Sequence, residues 1–251
     1  MFIAPLLQFA VCFLILRWLL KRKPGQPFSK KAIAKYLLLG ALSVVVSLGL
    51  TFVLPIKRDT FFGMNPILSG FLTAFLTAAL FEEGMKYLAF RLAIRNDREV
   101  TCWLDVIIAA IVVAAGFVLM EDLEFVVSGS GSIVRALIPA HLLFQGIMGY
   151  YYGKARVAGQ SKYHTLSIVV PILAHTLFDM FLIALMSIMG DPSTWSELTD
   201  ETLAALPYYE YMMPLLACAI ITIVGTFIAL IVMLKKIDAW SKSGEKQEPL
   251  A

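Results

Sequence analysis

Apolar residues are concentrated in seven long segments of this chain, separated by short polar links. The segments are Phe2–Leu20, Ile33–Ile56, Asn65–Phe90, Cys102–Val127, Ile133–Gly153, His164–Met189 and Tyr211–Leu234. Each is close to the length of about 20 residues that a helix needs to cross a bilayer. The pattern predicts an all-α polytopic membrane protein, a bundle of about seven transmembrane helices in which residues 1–251 form one membrane-embedded domain.

Composition supports this class. Hydrophobic residues make up 59% of the chain and the mean hydropathy is +0.80, which excludes an ordinary soluble domain. The net charge of +3 is small, and nothing indicates binding to nucleic acid. The cysteines Cys12, Cys102 and Cys218 have no paired spacing, so we expect neither a disulfide framework nor a cysteine metal site. The partner that the composition predicts is the lipid bilayer.

Lysine and arginine predict the orientation of the chain in the cell membrane. The links 21–35, 91–98 and 154–162 and the tail from residue 235 hold six, three, three and four of them. The connections on the opposite side hold only Lys57, Arg58 and Arg135. Because cytoplasmic loops are enriched in these residues, we expect the N-terminus outside and the C-terminus in the cytoplasm. The first segment lacks the features of a removed signal peptide, so we expect it to be a retained span.

Two outer connections have their own composition. Residues 190–208 form an acidic loop, in which Thr194–Glu197 has capping-box spacing. This spacing predicts a short interfacial helix with Trp195 at headgroup level, and a solvated loop is the alternative. The run Ser128–Ser132 predicts a flexible outer turn.

The third segment carries charges at mid-membrane. Each charge there costs about 2.5 to 3.5 kcal/mol on insertion scales, so Glu82, Glu83 and Lys86 need a compensating role. On a helix Lys86 can reach both carboxylates, while the two glutamates point about 100° apart. One glutamate can then face a cavity while the other is held by the lysine. A structural ion-pair cluster between helices is the alternative.

Ionisable residues recur in three later segments. Phe117 and Glu121 share a helix face in the fourth segment, with Asp122 and Glu124 beside them, although these acids could instead belong to the outer interface. The fifth segment carries His141, which could also be an ordinary core histidine. In the sixth, His175 and Asp179 have the spacing that lets an aspartate orient an imidazole.

The rise of a helix predicts the depth of these groups. At about 1.5 Å per residue, Glu82, His141 and His175 all lie near the middle of the bilayer. Glu121 lies closer to the outer end of its segment. We therefore expect these side chains to meet in one intramembrane cavity that leans toward the outer face.

The motifs resemble those of the PrsW intramembrane proteases, relatives of the CAAX prenyl endopeptidases and bacteriocin-processing enzymes. The resemblance covers about residues 65–179, in the family's order. Residues 82–86 are similar to its EExxK motif, Phe117 to Glu121 to its FxxxE motif, and His175 to Asp179 to its histidine motif. His141 lies on the intervening helix, where the family carries a histidine. Asp122 differs, because it stands where the family is expected to have asparagine.

The resemblance implies a peptidase with catalytic core helices in residues 65–189. It implies cleavage, on the extracytoplasmic side, of a single-span membrane protein such as an anti-sigma factor. The residues themselves are compatible with water activated by Glu82 beside Glu83, with Glu121 sharing the water. His175, oriented by Asp179, or else His141, would stabilise the oxyanion. Lys86, Phe117 and Asp122 would support these groups.

Other mechanisms and functions compete with this interpretation. His141, His175 and Glu82 form a plausible set of three Zn²⁺ ligands. The spacing does not decide between a metal and metal-independent catalysis, and we favour the latter. The chain contains no HExxH, GxSxG or GxGD motif, which disfavours zincin, serine and presenilin-type mechanisms. A proton- or ion-coupled transporter and a non-catalytic immunity or scaffold protein are the alternatives.

Overall fold

A computed structural model describes residues 3–53, 56–57, 59–128, 138–190, 199–246 and 249–250. In this part of the chain the secondary structure is helical and there is no strand. The helices are α1 (Ile3–Leu20), α2 (Lys30–Val53), α3 (Pro66–Ala74), α4 (Leu80–Ile94), α5 (Trp103–Ser128), α6 (Ala140–Ala158), α7 (Ser161–Met189), α8 (Asp200–Ala204) and α9 (Met212–Ser243). The prediction of an all-α polytopic membrane protein is confirmed.

Five helical stretches are long and apolar enough to cross a membrane. They are Lys30–Val53, Pro66–Ile94, Trp103–Leu123, Ser161–Met189 and Tyr209–Ser243. The first helix has a shorter apolar stretch, Leu6–Leu20, and α6 is not among the five. The predicted total of seven crossings therefore stays a prediction.

Several helices extend beyond the apolar segments that predicted them. The helix α2 begins at Lys30, α4 continues to Ile94 and α9 continues to Ser243. A helix satisfies its backbone hydrogen bonds equally well outside the bilayer, so it need not end where the apolar residues end. The helix α6 instead begins at Ala140, later than predicted, because Pro139 is its N-cap and restricts the residue before it. Residues 133–137 of that predicted segment lie outside the described residues.

The helix α5 is the centre of the bundle. In its most apolar window 89% of the residues are buried, against 17% in the window of α9. At its start, the buried Asp105 carboxylate accepts hydrogen bonds from the backbone N–H groups of Thr101 and Cys102, and Lys23 Nζ lies 3.4 Å from it. This capping fixes the end of a helix that the other elements surround.

Glycines let α2 and α5 cross at close range. A Cβ atom added at Gly40 would lie 1.9 Å from the carbonyl oxygen of Val113, and one at Gly116 would lie 2.0 Å from that of Leu37. Since helices in a membrane associate mainly by van der Waals packing, small residues at the crossing bring the two backbones together. Each glycine thus packs directly against the other helix.

We expect Gly116→Ala to destabilise the protein by about 1–3 kcal/mol, because the methyl group would overlap the backbone of α2. Gly49→Ala is the matched control, since a Cβ atom there meets nothing within 4 Å. The measurement is equilibrium unfolding in mixed micelles. Equal stabilities of the two variants would show that the crossing tolerates a wider separation.

The outer connections are described only in part. The predicted capping box at Thr194–Glu197 lies outside the described residues, as do residues 129–132 of the predicted turn. A short helix, α8, follows at Asp200–Ala204, and its own capping box joins Thr199 to Thr202. The cysteines Cys12, Cys102 and Cys218 are free.

Candidate active site

A π-helical turn precedes the charged residues of α4. This turn, Phe75–Ala79, joins α3 to α4, and π-helical turns are often found at functional sites. Its wider turn changes the rotation of α4 relative to α3. Before the π-helical turn, Gly70 of α3 packs against the backbone of Met180 in α7. After the turn, Glu83 and Lys86 of α4 point into the bundle, and both are fully buried.

Lys86 contacts both glutamates, as the spacing predicts. Its Nζ atom lies 2.8 Å from Glu83 Oε1 and 3.5 Å from Glu82 Oε2. The side chains of Lys86 and Glu83 are 0% exposed, whereas that of Glu82 is 21% exposed. The buried pair therefore forms the inner wall of the site, and Glu82 is the more exposed of the two glutamates.

His141 connects this wall to α5. Its Nδ1 atom lies 2.8 Å from Lys86 Nζ, and its Nε2 atom lies 3.2 Å from Glu121 Oε2 and 3.9 Å from Glu82 Oε2. An ammonium group has only hydrogens to donate, so with a charged Lys86 the Nδ1 atom accepts. Assigned from these contacts, the ring hydrogen is on Nε2 and points toward Glu121.

His175 lies between two carboxylates. Its Nδ1 atom is 3.0 Å from Glu83 Oε1, and its Nε2 atom is 3.1 Å from Asp179 Oδ2. The ring also stacks on Phe144, with centroids 5.2 Å apart. With both contacts made, the ring donates through both nitrogens as an imidazolium; to bind anything else it must exchange one carboxylate.

Phe117 has a direct role in the packing of the site. The Lys86 ammonium lies 3.6 Å from the centroid of its ring, which is a cation–π distance. The ring is also 5.1 Å from that of His141. The aromatic residue of the FxxxE motif thus supports the lysine and the histidine together.

Gln145 is a site residue that the sequence analysis missed. Its side chain is fully buried, and its Nε2 atom donates to Glu83 Oε2 at 3.3 Å. It lies one helical turn after His141, so both face the same side of α6. An uncharged polar residue four positions after a histidine, within an apolar run, was the signal that could have identified it.

The contacts described above do not include two of the acids from the sequence analysis, Asp122 and Glu124. Asp122 is buried, and its supporting role stays a prediction. The side chain of Glu124 lies outside the described residues. The residues that the structure does bring together are Glu82, Glu83, Lys86, Phe117, Glu121, His141, His175 and Asp179.

The donor atoms of this group fit a divalent metal ion. Glu82, His141 and His175 each offer one ligand atom, and these atoms lie within 4.8 Å of one another. Two imidazoles and one carboxylate are a common ligand set of catalytic Zn²⁺. Carboxylates also outnumber the single ammonium group here, and such an excess of negative charge in a membrane requires protons or a cation to balance it.

Comparison with known proteins gives a consistent result. Residues 29–209 match the model of the family described as "PrsW family intramembrane metalloprotease". A relative from Clostridioides difficile (strain 630), named "Protease PrsW", is 32% identical over 160 residues, which cover 59% of this chain and 66% of the relative. One of the same name from Bacillus subtilis (strain 168) is 34% identical over 123 residues, 46% of this chain and 56% of that protein.

A third protein named "Protease PrsW", from Geobacillus kaustophilus (strain HTA426), is 33% identical over 117 residues, 44% of this chain and 52% of that protein. The matches to these three relatives thus span about half to two thirds of their length. No solved structure shows significant similarity. Since the family match covers most of the chain and every residue of the site described above, the chain belongs to the PrsW family.

Proposed function

We propose that this chain is an endopeptidase that hydrolyses a peptide bond within or beside the membrane. The observation that carries the proposal is the convergence of Glu82, His141 and His175, which come from three different helices. Ionisable residues are rare in transmembrane helices and usually mark functional sites. The description of the family and the printed names of the relatives agree with a protease.

The proposed reaction uses water as the nucleophile. Glu82, the partly exposed glutamate beside the inner wall, accepts a proton from the water whose oxygen attacks the carbonyl carbon. Glu121 shares this water, since its Oε2 atom lies 3.2 Å from the same His141 Nε2 atom that is 3.9 Å from Glu82 Oε2. His141 donates a hydrogen bond through Nε2 to the oxyanion that develops, and His175 donates to it once one of its ring nitrogens releases its carboxylate. The proton held by Glu82 passes to the leaving nitrogen as the C–N bond breaks.

The remaining residues keep these groups in place. Glu83 orients His175 through Nδ1, and Asp179 holds the same ring through Nε2. Lys86 and Gln145 in turn hold Glu83. Because a shift of about 1 Å in a reacting group can lower a rate roughly a hundredfold, we infer that this buried network supports catalysis by positioning.

A metal ion is compatible with the same residues. Glu82, His141 and His175 would hold it, and it would supply a Lewis acid that polarises the substrate carbonyl and acidifies water. His175 would then exchange one of its two carboxylates for the ion. Glu121 lies beside these three ligands and would not bind the ion, so it would be the carboxylate that accepts a proton from the water.

We expect the purified protein to bind one equivalent of Zn²⁺ and Glu83→Gln to weaken this binding about 10–100-fold, since Glu83 orients a ligand histidine. Metal content after dialysis and competition with a chromophoric chelator measure this. Glu245→Gln, which changes an exposed glutamate, is the control. Absence of bound metal, together with cleavage that survives stringent chelation, would exclude the metal and leave Glu82 as the base.

We further propose that the substrate is a single-span regulatory protein, such as an anti-sigma factor, cleaved near the outer membrane boundary. The positions of lysine and arginine support a cytoplasmic C-terminus and an N-terminus outside. Glu121 near the outer end of α5 and the partial exposure of Glu82 support a site that opens toward that side.

Co-expression of tagged single-span candidates with the wild type, Glu82→Gln or Glu245→Gln tests this proposal. We expect the wild type and Glu245→Gln to release the same fragment and Glu82→Gln to release none. Identical fragments from Glu82→Gln would remove Glu82 from the mechanism. Proton-coupled uptake into proteoliposomes without proteolysis would favour a transporter instead.

A further inference from the structure

A largely apolar cavity lies between α6 and α9, away from the candidate active site. It has a volume of about 390 Å³ and is lined by residues of α5, α6, α7 and α9. The lining includes Leu143 and Tyr150, which lie roughly half a turn round α6 from His141 and therefore face the opposite way. We call this cavity the α6–α9 groove. No residue that the structure describes in its lining belongs to the candidate active site.

Contacts between α6 and α9 shape the α6–α9 groove. Met233 of α9 packs against Gly146 of α6, where an added Cβ atom would lie 2.1 Å from the methionine sulfur. Closer to the C-terminal ends of both helices, Tyr150 stacks on Trp240 with 6.0 Å between the ring centroids. The lining residue Val232 is 45% exposed, so the groove opens on the side of the bundle that faces lipid. An apolar crevice is therefore already formed at the surface that contacts the bilayer.

Lys236 is the one charged residue in the described lining of the α6–α9 groove. It is exposed, and it forms no ion pair with any residue that the structure describes. Asp238 lies two positions later and therefore faces the other side of α9. The described ion pairs near this end of α9 are Asp238 with Arg22 and Lys242, and Glu245 with Lys246. These carboxylates are balanced by other cations, so the positive charge of Lys236 is available to a ligand.

We propose that the α6–α9 groove binds an anionic phospholipid, with an acyl chain in the apolar crevice and the phosphate group at Lys236. Ammonium and phosphate groups form charge-assisted hydrogen bonds. The lining also contains Tyr150, Tyr151 and Trp240, and tyrosine and tryptophan are enriched at headgroup level. The lysines at this end of α9 support a position in the cytoplasmic leaflet.

A lipid fits the α6–α9 groove better than another helix does. A transmembrane helix is about 10 Å across with its side chains, so it needs more room than a cavity of about 390 Å³ offers. An unfilled groove would deprive the side chains around it of dispersion contacts, which an acyl chain restores. The single ammonium group of Lys236 also matches the single negative charge of phosphatidylglycerol.

Native mass spectrometry of the full chain, released from micelles that contain phosphatidylglycerol and phosphatidylcholine, tests this proposal. Lys236→Gln removes the charge from the groove. Its control is Lys235→Gln, which removes the same charge from the next position, where the side chain lines a different cavity. Ala229→Phe fills part of the groove, and Ala217→Phe makes the same change at an exposed position of α9 outside the groove.

We expect the wild type to retain phosphatidylglycerol in preference to phosphatidylcholine, and Lys236→Gln to lower the affinity for phosphatidylglycerol about tenfold. Ala229→Phe should weaken binding of both lipids, and both controls should bind as the wild type does. The proposal is wrong if the wild type holds the two lipids equally, or if either control loses as much lipid as its partner variant. It is also wrong if Ala229→Phe keeps its lipid but no longer cleaves a single-span substrate, since the groove would then receive the substrate. The two lysine variants alone answer the question if Ala229→Phe does not fold.

Discussion

His175→Ala should lower cleavage of the substrate by about 10²–10⁴-fold, the range that a positioned acid–base group contributes. His175 is buried, it contacts Glu83 and Asp179, and its ring faces that of His141 at 5.0 Å between centroids. Alanine removes both ring nitrogens and leaves the two carboxylates without their shared partner. The rate of fragment release from a purified single-span substrate in proteoliposomes measures the loss.

His164→Ala is the matched control, because it changes a histidine in the same helix. The His164 ring packs against Tyr152 at 5.1 Å between centroids, eleven residues before His175 and outside the active site. We expect this variant to cleave at the rate of the wild type. Circular dichroism and gel filtration establish that both variants fold. A His175→Ala variant that folds and retains full activity would remove this residue from the proposed mechanism.

Lys86→Met should reduce the free energy of unfolding by about 3–5 kcal/mol, as expected when one partner of a buried ion pair is removed. Methionine has a similar length, so the cavity term is small. The loss arises because Glu83, 0% exposed, keeps its charge without the ammonium that lies 2.8 Å from it. The contact between Lys86 Nζ and the face of Phe117 is lost as well. Equilibrium unfolding in mixed micelles measures the change.

The double variant Lys86→Met with Glu83→Gln separates charge from packing. Removing both charges leaves no fully buried carboxylate without its ammonium partner, so we expect the double variant to recover much of the stability that Lys86→Met loses. Lys242→Met is the control, since that lysine is 73% exposed in its pair with Asp238 and should not change stability measurably. A double variant less stable than Lys86→Met would show that Glu83 does not depend on this lysine for its charge.

Function and stability should depend on the network in different ways. Glu82 is partly exposed, and its contacts to Lys86 (3.5 Å) and His141 (3.9 Å) are both long, so Glu82→Gln should affect cleavage more than folding. Glu83 and Gln145 are fully buried and contact each other, so changes there should affect both. This difference provides a way to distinguish the reacting residues from those that position them.

The sequence predicted much of the candidate site because its signals are local. The spacing of Glu82, Glu83 and Lys86 was enough to predict that the lysine contacts both carboxylates, and the spacing of His175 and Asp179 predicted their contact. Both are pairs within one helix, where three or four positions fix the neighbours. The contact of Glu83 with His175, from another helix, had no such signal.

Contacts between helices depend on how each helix is rotated about its axis. The π-helical turn Phe75–Ala79 changes that rotation for α4, and no feature of the sequence revealed it. The sequence analysis missed Gln145, because an uncharged amide gains importance only from the buried carboxylate that it contacts, here that of Glu83. The cavity lined by Arg95, Arg98 and Arg156 also joins residues that are far apart in the chain, and the sequence analysis uses them only as markers of orientation.

The sequence by itself determined that this is a helical membrane protein and which residues carry unusual polarity for that environment. A bilayer requires every backbone polar group to be bonded within its own helix, so hydropathy alone predicts the spans. The tertiary structure decided which of the polar groups meet, because packing at residues such as Gly40 and Gly116 sets the distance between helices. Only the tertiary structure brings His141 and His175 to the same buried carboxylate, that of Glu83. The Oε1 atom of Glu83 lies 3.7 Å from Nδ1 of His141 and 3.0 Å from Nδ1 of His175.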